Sequence, residues 1–97
     1  MQFNLKKPFV DIEGRPILDK EGKENLIGEY IAMRFYALSG TDLTKDEMIK
    51  YYRLATKIKE NQEAVELTHE DIILIEEQMS KILTIGAYGQ VYDLLEK

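Results

Sequence analysis

Residues 26–38 read Leu26-Ile27-Gly28-Glu29-Tyr30-Ile31-Ala32-Met33-Arg34-Phe35-Tyr36-Ala37-Leu38. At 100° per residue, Ile27, Ile31, Phe35 and Leu38 fall on one side of a helix, and Leu26, Tyr30, Met33 and Ala37 form a second stripe. Glu29 and Arg34 are the charged residues of the stretch. A helix that is apolar around most of its girth has to be covered on most sides. The stretch therefore predicts a helix over 23–38 at the centre of a helical protein. Gly28 inside it costs about 1 kcal/mol relative to Ala, which is tolerable where a neighbouring backbone approaches closely. Ser39-Gly40-Thr41-Asp42 terminates the helix.

C-terminal to this stretch, Thr44 and Glu47 have the spacing of a capping box, in which each side chain serves a backbone donor near the other. A second helix is predicted over 44–60. Met48, Tyr51, Tyr52, Ala55 and Ile58 share its apolar face, with Lys50, Arg53 and Lys57 opposite. Ala64-Val65-Glu66-Leu67 reads as briefly extended. Thr68 and Asp71 repeat the box spacing and start a third helix over 69–83, whose main stripe is Ile72, Ile75, Met79 and Ile82. Ile73 and Leu74 fall outside that stripe and call for a second neighbour. Thr84-Ile85-Gly86 marks a break with Gly86 as a left-handed cap, and a short last helix follows over 87–95, with Tyr88, Val91, Tyr92 and Leu95 together.

N-terminal to the central stretch, Phe3 and Leu5 alternate with polar neighbours and Pro8 forbids a helix interior. Phe9-Val10-Asp11-Ile12 and Arg15-Pro16-Ile17-Leu18 flank Glu13-Gly14, which predicts a tight hairpin. Pro16 confines its strand to an edge. An isolated hairpin is marginal in water, so it must lie on the helices or join another sheet. Asp19-Lys20-Glu21-Gly22-Lys23 reads as a charged connector, and no internal repeat or linker is apparent. The expected fold is mainly α, a single domain over 1–97. An N-terminal β-hairpin region, 1–18, is followed by a compact bundle of about four short helices at 23–38, 44–60, 69–83 and 87–95. It is α+β if the hairpin is counted.

Composition narrows the function. Ninety-seven residues, 44% of them hydrophobic, suit one small core. The absence of cysteine excludes a disulfide scaffold, a thiolate zinc site and a thiol nucleophile, and favours a reducing compartment. No apolar run has membrane-spanning length and Met1 to Lys7 lack a signal-peptide core, so a cytoplasmic protein without a membrane partner is expected. The net charge of −5 argues against nucleic acid. It is unevenly placed: residues 44–61 carry five positive and three negative side chains, residues 62–97 two and eight. Such blocks are ordinarily solvated faces. The sharper readings are that the basic segment neighbours the acidic part, or that the acidic end meets a basic partner. A helix-turn-helix over 44–83 would put Glu70, Asp71, Glu76 and Glu77 against phosphates, which repels.

Catalytic patterns are missing. His69, the single histidine, sits in a first helical turn with no second imidazole to complete a metal site. Asp11-Ile12-Glu13-Gly14 and Asp19-Lys20-Glu21-Gly22 lack the alternating ligands and the twelfth-position Glu of a calcium loop. Glu70-Asp71 and Glu76-Glu77 read as solvated faces rather than an acid–base pair across a cleft. The six glycines form no phosphate loop, and Ser39 and Ser80 sit in no nucleophile elbow. No enzyme, cofactor, metal or small-molecule substrate is expected. Tyr30, Tyr51, Tyr52, Tyr88 and Tyr92 stand at positions facing helical neighbours, whereas Tyr36 points away from the main stripe of its helix. Tyrosine supplies rigid area with one polar tip. The candidate interface residues are Leu26, Met33, Tyr36, Ile73 and Leu74.

Four segments resemble small proteins encoded by tailed bacteriophages and prophages. Val10-Asp11-Ile12-Glu13-Gly14-Arg15-Pro16-Ile17 is similar to their "VDxxGxPI" hairpin, and Leu54-Ala55-Thr56-Lys57-Ile58 to an "LAxKI" helix. Glu66-Leu67-Thr68-His69-Glu70-Asp71-Ile72-Ile73-Leu74-Ile75 resembles "ELxxEDIxLI", and Val91-Tyr92-Asp93-Leu94-Leu95-Glu96 resembles "VYxLLE". Where these proteins often carry a basic residue after the third segment, this chain has Glu76-Glu77. The resemblance implies a phage setting, in the bacterial cytoplasm or on the virion, and supplies no activity. The expectation is a non-enzymatic phage protein acting through protein–protein contacts, in particle assembly, as a homo-oligomer or with another phage or host protein. The alternative is a small acidic inhibitor or regulator of a host protein.

Overall fold

Both capping boxes form. Thr44 Oγ1 accepts from the Glu47 N–H at 3.1 Å while the Glu47 carboxylate accepts from the Thr44 N–H at 2.9 Å. Thr68 and Asp71 reproduce the pair at 3.1 and 3.0 Å. Each cap satisfies two orphan donors and contributes on the order of 1 kcal/mol. In the computed structural model, which describes residues 1–39 and 42–96, these caps open helices on either side of a short strand. In chain order the elements are β1 (Gln2–Phe3), α1 (Ile27–Ala37), α2 (Lys45–Glu60), β2 (Val65–Glu66), α3 (His69–Ile82) and α4 (Ile85–Glu96). The protein is mainly helical, four helices with a small two-stranded antiparallel sheet.

That sheet is not a hairpin. Gln2 pairs with Glu66 and Phe3 with Val65, and the ladder extends through Leu67 N–H to the Met1 carbonyl at 2.9 Å and Leu5 N–H to the Gln62 carbonyl at 2.7 Å. The N-terminal strand thus pairs with a segment some sixty residues away. It also caps α1. Ile27 N–H donates to the Lys7 carbonyl at 2.7 Å and Gly28 N–H to that of Leu5 at 2.8 Å. First-turn amides that have no helical partner are met by these two carbonyls, since Leu26 supplies no side-chain cap. Gly28 is where the chains cross. A Cβ there would lie 2.9 Å from Leu5 Cβ and 3.1 Å from the Leu5 carbonyl oxygen.

The helix begins at Ile27 rather than 23 because residues 24–26 belong to another structure. Two turns eight residues apart share one pattern, Asp11-Ile12-Glu13-Gly14-Arg15 and Asp19-Lys20-Glu21-Gly22-Lys23. In each, the Asp Oδ1 accepts the amides two and four residues on, at 2.8–3.0 Å. In each, the glycine adopts positive φ, +84° and +82°, as a type I turn closed by a left-handed residue requires. The charged connector is therefore a second hairpin turn, and the chain does hold a short internal repeat. Phe9 N–H donates to the Asn25 carbonyl (2.8 Å), Asn25 N–H to that of Ile17 (3.2 Å) and Ile17 N–H to that of Phe9 (2.9 Å). Three residues at eight-residue intervals close a ring.

The core is assembled from Leu5, Ile31, Ile58, Leu67, Ile75 and Val91, with Phe9, Phe35, Tyr51 and Met79 around them. Phe35 meets Tyr51 edge-to-face at 5.2 Å, and Phe9 meets Tyr30 likewise at 5.7 Å. Gly86 is not a left-handed cap. It lies inside α4, which begins two residues earlier than expected, because Thr84 caps it: Thr84 Oγ1 accepts from the Ala87 N–H at 3.3 Å. Gly40 and Thr41, part of the expected terminator of α1, lie outside the described residues.

Candidate functional site

α1 and α2 run antiparallel. Lys59 Nζ reaches both oxygens of Glu29 at 2.6 Å, Gln62 Nε2 donates to Glu29 at 2.9 Å, and about 10 Å further along the rings of Tyr36 and Tyr52 lie 6.0 Å apart. The Lys59 hydrogen bond outweighs burial and, with Gln62, holds the Glu29 carboxyl below its usual range. Ile27, Ile31 and Phe35 turn inward with Leu54, Ala55 and Ile58 of α2. The opposite side of the pair is apolar and open: Met33 is 60% exposed, Tyr36 68% and Tyr52 51%. Between the helices lies a hollow of about 370 Å³ floored by Ala32, Ala37, Ala55 and Thr56, with Lys59 and Glu60 at one end. Small side chains here leave a depression; the large ones stand beside it.

Of the five candidate interface residues, the structure brings Met33 and Tyr36 together on this face. Leu26 is half-buried at the start of α1, paired with Pro8. Ile73 is exposed on α3, while Leu74 is half-buried and packs on the chain's own core. The second stripe of α1 is divided, since Phe9 covers Tyr30 but Met33 and Ala37 remain exposed. The apolar face of α2 is rotated from the expected one. Leu54, expected on no stripe, is buried, and Tyr52 and Met48 are turned outward. Burial of Leu54 at the edge of the lysine side moves the stripe, a shift that periodicity alone could not anticipate. Tyr52, Met48 and Ile49 are thus exposed apolar residues of α2 that sequence reasoning missed.

Charge is distributed as the first of the two sharper readings has it. Lys50 pairs with Glu70, and Lys57 Nζ with Asp71 Oδ2 at 2.9 Å, so the basic side of α2 meets the acidic start of α3. Burial would raise Asp71, yet the Thr68 amide and Lys57 together hold it below its usual range. On α3, Glu76 behaves oppositely. Burial and the neighbouring Glu96 carboxylate push it up to about 7, and its Oε2 is enclosed without a hydrogen-bond partner among the described residues. Desolvation and Glu76 also raise Tyr88.

His69 is exposed at the first position of α3. Among the described residues no group of three or more His, Cys, Asp or Glu side chains is placed to hold a metal, and no helix is long and apolar enough to cross a membrane. The repeated turns leave residues 11–25 exposed throughout, with Ile12 at 99%. Gln90 of α4 ties their base to the body: its Oε1 accepts from Val10 N–H at 2.8 Å and its Nε2 donates to the Val10 carbonyl at 2.9 Å. Compared with known proteins, the chain matches no family model, no curated protein and no solved structure.

Proposed function

We propose that this chain is a non-enzymatic phage or prophage protein that acts through protein–protein contacts in particle assembly, using the outer face of α1 and α2. One observation carries the reading. Met33 and Tyr36 stand exposed around a hollow floored by small residues, and Tyr52 stands exposed beside Tyr36. Methionine and tyrosine are enriched where proteins meet, because they supply wide contact area at modest ordering cost. The sequence resemblance supplies the phage setting and, with it, a place of action in the bacterial cytoplasm or on the particle. The reading needs no nucleic acid, membrane, cofactor or small-molecule substrate.

Replacing Met33 and Tyr36 together by lysine tests it. Neither side chain is in the core, so folding stability should change by no more than about 0.5 kcal/mol. Association with itself or with a co-expressed particle protein, followed by sedimentation, should weaken at least tenfold. Association unaltered by the double substitution would sink the reading.

A second reading, a small acidic regulator of a host protein, is favoured by the carboxylates of α3 and α4. Glu76, Glu77, Asp93 and Glu96 form no ion pair among the described residues. It requires one host partner whose binding falls steeply between low and high salt.

A further inference from the structure

The geometry points to a second copy of this chain as the occupant of the α1–α2 face, related by a two-fold axis that crosses α2 at Thr56. The inference rests on the reading of that face as a contact surface and adds the partner and the arrangement.

The face is graded along its length. Tyr36 and Tyr52 make one end aromatic, with two phenolic hydroxyls. Lys59 and Glu60 make the other end charged. Thr56 lies midway between Tyr52 and Glu60 on one stripe of α2, four residues from each. On α1, the hollow at the same level is lined by Ala32 and Met33. One protomer therefore carries both the projecting side chains and the depression that can receive them. That is the condition for an isologous contact, in which each patch meets its own likeness.

Two axes in the contact plane are available, and charge chooses between them. An axis parallel to the helices lays aromatic end on aromatic end and brings Glu60 towards Glu60 of the other copy, which repels. An axis across the helices reverses them. Tyr52 of each copy then stands over Glu60 of the other, where the phenol O–H donates to the carboxylate. Tyr36 stands over the other copy's Lys59–Glu29 pair, where the ammonium can approach the ring face. Met33 meets Met33 and Thr56 meets Thr56 on the axis. Small residues at that point let helices approach to about 8 Å. Glu60 forms no ion pair within its own chain among the described residues, so it is available to accept. A face of the usual size, roughly 800 Å² per partner, would occupy about an eighth of the protomer's 6710 Å² surface.

The chain has no native cysteine, so single-cysteine variants report the geometry without background. Thr56→Cys should convert most of the protein into a disulfide-linked dimer under glutathione disulfide, because the axis brings residue 56 against itself. Glu77→Cys on α3 should stay at protomer mass. A mixture of Tyr52→Cys and Glu60→Cys proteins should cross-link to each other several-fold more than to themselves, and circular dichroism confirms that each variant is folded. The unmodified protein should sediment at twice the 11.3 kDa protomer mass at high micromolar concentration. A protein at protomer mass there, or a dimer in which neither Thr56→Cys nor the mixed pair cross-links, overturns the inference. If that dimer is still dissociated by lysine at positions 33 and 36, the contact-face reading survives without the two-fold arrangement. If it is not, both fall.

Discussion

The four-helix body and the double-turn projection over residues 8–26 are stabilised by different physics. In the body, large side chains are enclosed: Leu5, Ile31, Ile58 and Ile75 have no measurable exposure. In the projection, residues 11–25 are all exposed, and what holds them is backbone pairing, two aspartates that accept two amides each, and two left-handed glycines. Phe9 belongs to both, buried on Tyr30 at its side-chain end and hydrogen-bonded into the ring through its backbone. Burial tolerates varied backbone; a small exposed structure has to specify its backbone residue by residue.

The sharpest way to break that division is at Phe9. Phe9→Ala removes the shared anchor and should cost about 3–5 kcal/mol in global unfolding, read by denaturant titration. A loss confined to the projection would mean that the body does not depend on it. Gly28→Ala comes next. In an open helix this change would stabilise by about 1 kcal/mol. Here the new methyl meets Leu5 backbone and side chain, so a destabilisation of about 1–3 kcal/mol is expected. A rise in melting temperature would show that the strand yields.

Gly14→Ala forces a side chain into the left-handed region, at about 1–2 kcal/mol. Its signature is local: hydrogen exchange at the Ile17 and Asn25 amides should quicken while the Ile31 and Ile58 amides keep their protection. Equal quickening everywhere would erase the distinction between the two regions. The smallest effect is in the body and depends on pH. Folding raises Glu76 from about 4.5 to about 7, so its contribution is fully present below pH 4.5 and is lost as pH rises towards and through 7. Glu76→Gln should therefore gain on the parent protein over that window, by on the order of 1 kcal/mol after solvent screening. Parallel pH profiles for the two proteins would show that Glu76 titrates normally.

The helices were legible because their signals are local. Thr44–Glu47 and Thr68–Asp71 announce starts within one turn, and the Ile72–Ile75–Met79–Ile82 stripe identifies a buried side except at Ile82, which stands exposed at the end of α3. Gly28 was legible too, as a demand for close backbone approach. What escaped was non-local. β1 finds β2 across two intervening helices, and nothing in Gln2-Phe3 names Val65-Glu66 as its partner. The ring through Phe9, Ile17 and Asn25 is made by backbone atoms alone, so only the recurrence of Asp-x-Glu-Gly-basic hinted at it. On the candidate face, Met33 and Tyr36 could be found because they lie off the main stripe. Tyr52 could not, since its exposure depends on how far α2 turns to bury Leu54.

Pro8 and Leu26 bridge to each other, so the whole excursion between them leaves and rejoins the body at a single suture. A segment with adjoining ends can be exchanged at little cost in loop closure. Provided Phe9 or an equivalent plug stays at its base, the body can display other short sequences there, much as a handle accepts different blades.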